Sequence, residues 1–344
     1  MGLDEIGEEH TSILARAADV GARAADVGAR AYAERVQSTD RPDAERAWAP
    51  DWPLRPGPTL ASLTHGPADP TSRRGAGVWW RALRTPDGPA TLRLDLGQEV
   101  RASAWGEGAD WAVGAAPALL GAEDDTSGFD ADRHPAVAEL ARRFPDLRLP
   151  RTGLIIDSLV PAIIEQKVTG SEAFAGYRRL VRFFGERAPG PGVDLKLWLP
   201  PAPATMARIP SYEWLRLGIT PARWRAVVGA AKVAPSLERA AAVESAEADR
   251  RLQSLPGIGT WTSAEVRMRT HADADAVSFG DYNVARDVGW ALTGRYDVDD
   301  AGLAELLEPF RPHRYRVQRL VEVAGIRQPR RGPRMPTRSH LPTG

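Results

Sequence analysis

The chain has 344 residues, with 45 basic and 45 acidic side chains, a formal net charge of zero and no cysteine. That length allows about two domains and a sizeable core. The missing cysteines exclude disulfides, thiol catalysis, cysteine-ligated zinc and a cysteine-ligated iron–sulfur cluster.

Residues 1–50 read as a peripheral extension. The heptad Ala-Ala-Asp-Val-Gly-Ala-Arg fills 17–23 and repeats at 24–30. Gly21 and Gly28 weaken its helical character, and Val20 and Val27 alone make a poor coiled-coil seam. Residues 51–134 read as a small antiparallel β-sheet domain. A strand at 77–84 points Trp79 and Trp80 to opposite faces, and Thr85-Pro86-Asp87-Gly88-Pro89 is a turn signal. A second strand at 91–96 puts Leu92, Leu94 and Leu96 on one face, and 99–106 is placed to pair with it. Trp105 and Trp111 read as core.

From about Pro135 to 328 the apolar period becomes helical, with Val137, Leu140 and Ala141 on one face. Further helices are predicted at 156–166, 172–184, 211–217, 221–233, 246–255, 261–270, 283–292, 303–310 and 314–324. Residues 329–344 have no apolar periodicity and read as a flexible basic tail. The fold class expected is therefore α+β: a small sheet, then an all-helical domain. No apolar run approaches a membrane span, and an acidic N-terminus without an apolar signal core predicts a cytoplasmic protein.

A neutral total says little about nucleic-acid binding; the distribution says more. From Arg311 onward the chain carries nine arginines against the single acid Glu322, while lysine is confined to Lys167, Lys196 and Lys232. The arginine bias reads as a mark of GC-rich coding, and the basic C-terminal stretch as a source of sequence-independent phosphate contacts.

The most specific stretch is Leu255-Pro256-Gly257-Ile258-Gly259-Thr260-Trp261-Thr262, followed by Gly280-Asp281-Tyr282. The first segment is a helix stop, a glycine turn and a helix restart. Main-chain N–H groups of Gly257, Ile258 and Gly259 at such a turn can hold a phosphate. Thr262, in the first turn, either adds a hydroxyl to that contact or supports the turn. Asp281 follows Trp261 by twenty residues. A phosphate clamp with one placed carboxylate suits an enzyme that holds a DNA backbone and breaks a glycosidic bond.

These residues resemble the helix-hairpin-helix DNA glycosylases, and most of all their alkylpurine branch, the DNA-3-methyladenine glycosylase II type. The segment 144–150 is similar to the family's lead-in to its helical domain. Ala162-Ile163-Ile164-Glu165-Gln166-Lys167-Val168-Thr169 is similar to its Gln-x-Val helix. The similar segments run from about 52 to 328.

The resemblance implies Asp281 as the catalytic carboxylate, stabilising positive charge on the sugar and activating water. The other reading is that Asp281 caps the helix beginning near Tyr282, and one residue can do both. Trp261 and Tyr282 become candidate walls of a base pocket, by stacking and cation–π attraction, or else ordinary core aromatics. Where strand-nicking relatives carry a lysine, this chain has Trp261, which forms no Schiff base. A monofunctional hydrolase is implied.

Glu265, one turn after Trp261, departs from the alkylpurine pattern. It either favours a cationic base or is solvated and irrelevant. His313, or Tyr315 beside it, is expected at the pocket border. Gln166 and Lys167 match the part that fills the gap left by a flipped nucleotide, although Lys167 is not an apolar wedge and has the alternatives of a phosphate contact or a plain surface role.

The activity implied is release of alkylated purines from damaged double-stranded DNA, leaving an abasic site, by a monomer working at the nucleoid. It needs no metal, redox cofactor or nucleotide. Two other readings remain: a non-catalytic hairpin module that binds DNA, and a glycosylase for oxidised or deaminated bases.

Overall fold

The structure is a computed structural model that describes residues 41–75 and 77–329. The duplicated heptad and the basic segment from 330 onward lie outside the described residues.

The N-terminal half is built on a five-stranded antiparallel sheet of order β1-β5-β4-β3-β2. Its strands are β1 (Ala44–Trp48), β2 (Ser72–Gly75), β3 (Val78–Thr85), β4 (Gly88–Leu96) and β5 (Val100–Trp105). Helices α1 (Pro56–Ala61) and α2 (Ala109–Leu119) accompany it. The two tryptophans behave as their alternation demands. Trp79 packs with Leu92, Leu94 and α2, whereas Trp80 stacks on Trp105 at 5.7 Å on the other face. The turn at Pro86–Asp87 is closed by the Thr85 hydroxyl, which donates to the Gly88 carbonyl at 2.8 Å and accepts from the Asp87 amide at 3.2 Å.

One boundary needs correction. β1 lies inside the stretch read as peripheral, and it pairs with β5 over Ala44–Trp48. Its sequence, Ala-Glu-Arg-Ala-Trp, has no clean alternation because only one edge and one face are covered.

Helices α3 (Pro135–Arg143), α4 (Ile155–Glu165), α5 (Gly170–Phe184), α6 (Pro203–Met206), α7 (Ser211–Arg216), α8 (Pro221–Lys232), α9 (Ala234–Glu238), α10 (Ser245–Gln253), α11 (Thr260–Thr270), α12 (Val284–Thr293), α13 (Asp300–Leu307) and α14 (Arg314–Val323) follow. They form two cores. One gathers α4 to α11 around Leu159, Ile163, Trp214, Val227, Leu252 and Val266. The other packs α3 against α12, α13 and α14. The chain thus sets α3 aside for helices that come 150 residues later. A two-stranded ribbon of β6 (Glu186–Arg187) and β7 (Trp198–Leu199) returns to the sheet, and Leu195, Leu197 and Leu199 cover its second face.

A buried ion pair joins the two halves. Arg81 of β3 reaches Asp157 of α4 at 2.5 Å and also donates to the Leu63 carbonyl. Breaking such a pair from one side costs about 3–5 kcal/mol, because the partner is left charged and buried. Among the described residues no helix is long and apolar enough to cross a membrane.

Candidate active site

The hairpin is α10, a turn at 254–259, and α11. Gly257 has φ +86°, a left-handed conformation that L side chains avoid. A Cβ there would also come 3.1 Å from the Ala226 Cβ of α8. Ile258 points the other way, into the core with Val227 and Leu252, and pins the turn. Its amide donates to the Leu255 carbonyl at 3.1 Å. It is therefore spent on the turn and is not one of the phosphate donors expected from the sequence. The exposed amides of Gly257 and Gly259 have no backbone acceptor among the described residues. Gly259 sits at the start of α11, where first-turn N–H groups are unsatisfied.

Gln166 holds this turn from outside. At the end of α4, its side-chain amide donates to the Gly257 carbonyl at 2.9 Å and to the Thr262 hydroxyl at 2.8 Å. Thr262 is buried. Its hydroxyl supports the turn, the second of the two roles considered for it. Gln166 faces the hairpin. Lys167, next in the chain, is exposed with φ +54°, so the two residues point in different directions.

Asp281 lies in the loop before α12. One carboxylate oxygen accepts from the Asn283 amide at 2.7 Å and the Val284 amide at 3.1 Å. The capping geometry is real, and it leaves the second oxygen without a partner among the described residues. The Gly280 amide donates to Asp300 of α13 at 2.9 Å and fixes the loop from the other side. A Cβ built on Gly280 would lie 4.0 Å from the Trp261 Cβ, so the start of α11 and the Asp281 loop adjoin. Trp261 is half-buried, with a buried indole N–H that has no acceptor among the described residues. The other acids of this region are engaged: Asp273 pairs with Arg267, Asp275 with Arg314, and Asp287 with Arg327. Asp299 caps α13 through the Gly302 amide.

Three side chains lie in surroundings that the sequence did not indicate. Tyr282 is 68 % exposed, with the Arg286 guanidinium 4.3 Å from its ring centre. It is not a core aromatic, because the cap at Asp281 turns the next residue outward. His313 is only 4 % exposed, hydrogen-bonds the Ser127 carbonyl at 2.8 Å and meets Phe129 edge-on. Beside it, Arg316 pairs with buried Asp124. His313 thus belongs to a structural knot at the start of α14. Glu265 is not solvated. It is buried, accepts from the Ser278 hydroxyl at 2.6 Å and pairs with Arg269 at 2.7 Å. Burial raises its carboxyl above the ordinary value, against the pull of Arg269 and the Ser278 bond.

Glu265 opens a polar cluster that no spacing in the sequence had joined. Gln318 of α14 accepts from the Ser278 amide and donates to Glu322, which also pairs with Arg319 at 2.8 Å. Tyr315 is buried next to Arg319 and Arg269, and burial raises its hydroxyl. Glu165 at the end of α4, paired with His65 of the loop after α1, feels the charges of Arg269 and Glu265. The one sequence signal was an acid, Glu165, closing a helix that is apolar apart from Asp157 and Ser158. His65 gave none. Among the described residues no group of acids and histidines could hold a metal ion.

The fold is that of the helix-hairpin-helix DNA glycosylases. The chain is similar to the 3-methyladenine DNA-glycosylase from Archaeoglobus fulgidus, with a TM-score of 0.68 and 17 % identity, over 80 % of this chain and 97 % of that one. It is similar to MBOgg1, solved in complex with a low-affinity DNA ligand, with a TM-score of 0.62 and 13 % identity over 82 % and 95 %. A Clostridium acetobutylicum 8-oxoguanine glycosylase/lyase, solved with double-stranded DNA containing cytosine opposite 8-oxoG, gives a TM-score of 0.54 and 12 % identity over 70 % and 86 %. No protein-family model and no curated protein matches the chain.

Proposed function

We propose that this protein is a monofunctional DNA N-glycosylase that removes alkylated purines of the 3-methyladenine type from double-stranded DNA. The observation that carries the reading is the pinned carboxylate of Asp281 beside the start of α11. Two amides hold one oxygen, which leaves the other to face developing positive charge on a deoxyribose and to orient a water. A preorganised anion of this kind needs no rearrangement as the glycosidic bond breaks. Exposed amides of Gly257 and Gly259 would take a backbone phosphate. Trp261 supplies no amine, so water is the nucleophile and the strand stays intact. A cationic alkylated base is already a good leaving group, and no cofactor or protein partner is required.

A glycosylase for oxidised or deaminated bases is the second reading. It is favoured by the paired Glu265, Arg269 and Ser278 one turn beyond Trp261, a wall that can hydrogen-bond a neutral base. Base release from methylated duplex DNA, resolved by chromatography, tests both for the wild type and Asp281→Asn. The expected result is 3-methyladenine from the wild type alone, with breaks only after alkali. The asparagine oxygen can still cap α12, so its melting temperature should stay within a few degrees. Equal release by Asp281→Asn removes the proposed mechanism. Duplex binding without release of any base by the wild type favours a binding module.

A further inference from the structure

Four charged side chains of α11 and α14 pair off within their own helices. Glu265 has Arg269, and Glu322 has Arg319. Glu165, at the end of α4, lies in the field of the first pair and has no arginine of its own. Its nearest ionisable neighbour is His65 Nδ1, at 3.8 Å. His65 thus engages one carboxylate oxygen and lowers the carboxyl, while the other oxygen has no donor among the described residues. The Glu165 side chain retains 25 % exposure while His65 behind it retains 7 %. Arg269 and Glu265 both act on it electrostatically.

Burial pushes the Glu165 carboxyl up, but the His65 contact and the field of Arg269 outweigh it, and the group stays below the ordinary glutamate value. An ionised acceptor with solvent access therefore stands one residue before Gln166, the clamp of the hairpin, and against the polar cluster of α11. His65 is itself fixed: its amide donates to Asp69 at 2.9 Å, and its ring meets Tyr177 edge-on at 4.9 Å.

Resting on the glycosylase reading above, we propose that Glu165 recognises the extruded base, accepting from the positively charged or N–H-bearing edge of a purine, and that His65 is the residue positioning it. An anion without a guanidinium attracts a cationic ring, and it penalises a base that presents only acceptors, because two acceptors then face each other without water. A purely structural Glu165 would have no reason to distinguish the two.

The test compares kcat/KM on duplexes carrying 7-methylguanine, which is cationic, and 1,N6-ethenoadenine, which is neutral and has no N–H on its modified edge. Binding to a duplex with a tetrahydrofuran abasic-site analogue is the control. Glu165→Gln is expected to cut the 7-methylguanine value at least tenfold and to leave ethenoadenine within about twofold, with unchanged analogue binding. His65→Gln should shift the ratio in the same direction by less. Glu165→Asp, which keeps the charge, should retain the preference and serves if the glutamine variant does not fold. Equal losses on both bases, or a wild type that prefers ethenoadenine, would overturn the role of Glu165. A wild type inactive on every base, and no different from Asp281→Asn, would instead remove the glycosylase reading on which it rests.

Discussion

Replacing Gln166 by alanine deletes one amide that holds the hairpin at two points, the Gly257 carbonyl and the Thr262 hydroxyl. Each neutral hydrogen bond is worth about 0.5–1.5 kcal/mol net, so about 1–3 kcal/mol of order at the turn is lost. The turn does not unfold, because Ile258 remains anchored among Val227 and Leu252. What loosens is the orientation of the exposed Gly257 and Gly259 amides. The loss therefore falls on backbone binding, which is shared by ground state and transition state. A penalty near 1.4 kcal/mol corresponds to about tenfold in affinity. The expected outcome is a KM on lesion duplex, and a Kd for an abasic-analogue duplex, raised about tenfold with kcat within about twofold. Thr262→Val cuts one of the two bonds from the other side, so the double variant should cost little more than Gln166→Ala alone. An unchanged Kd, a loss confined to kcat, or full additivity of the two substitutions would refute this assignment and return Gln166 to the duplex gap.

His313→Ala should lower the melting temperature through the lost Ser127 bond and Phe129 contact, a cost of about 1–3 kcal/mol, while kcat/KM of the folded protein stays within about twofold; a changed base preference would place His313 back at the pocket. Glu238 caps the start of α4 through the Ile155 and Ile156 amides at 2.8 and 2.9 Å. Burial raises its carboxyl above the ordinary 4.5 against those two bonds. A raised folded-state pKa means that its stabilising contribution is complete below the unfolded value and is lost as pH climbs through the folded one. Melting curves of Glu238→Gln should therefore gain on the wild type as pH rises above the ordinary glutamate value, and a constant gap across that rise would contradict the sign.

The sequence determined the elements with strong local signals. Alternation in 91–96 found β4, and turn residues found its hairpin with β3. Apolar period 3.6 found the helices from α3 onward, except the short α6 and α9. Two glycines around Ile258 found the hairpin, since a left-handed turn ahead of a helix needs residue types that are few and adjacent. The same local character let Asp281 be placed next to a helix start, where its capping bonds span only two and three residues. What only the tertiary structure decided depends on partners far apart in the chain. β1 is a strand because β5 offers it an edge. Tyr282 is outside because the Asp281 cap and the Asp300 bond set the loop. His313 is structural because Ser127, 186 positions away, accepts its bond. Glu265, Arg269 and Gln318 form one polar cluster, with Glu165 in its field, because α4, α11 and α14 meet there. Local chemistry is written in neighbouring residues and can be read from them. The protonation, pairing and exposure of a side chain are set by the low-dielectric surroundings that packing creates, and these exist only once the chain has folded.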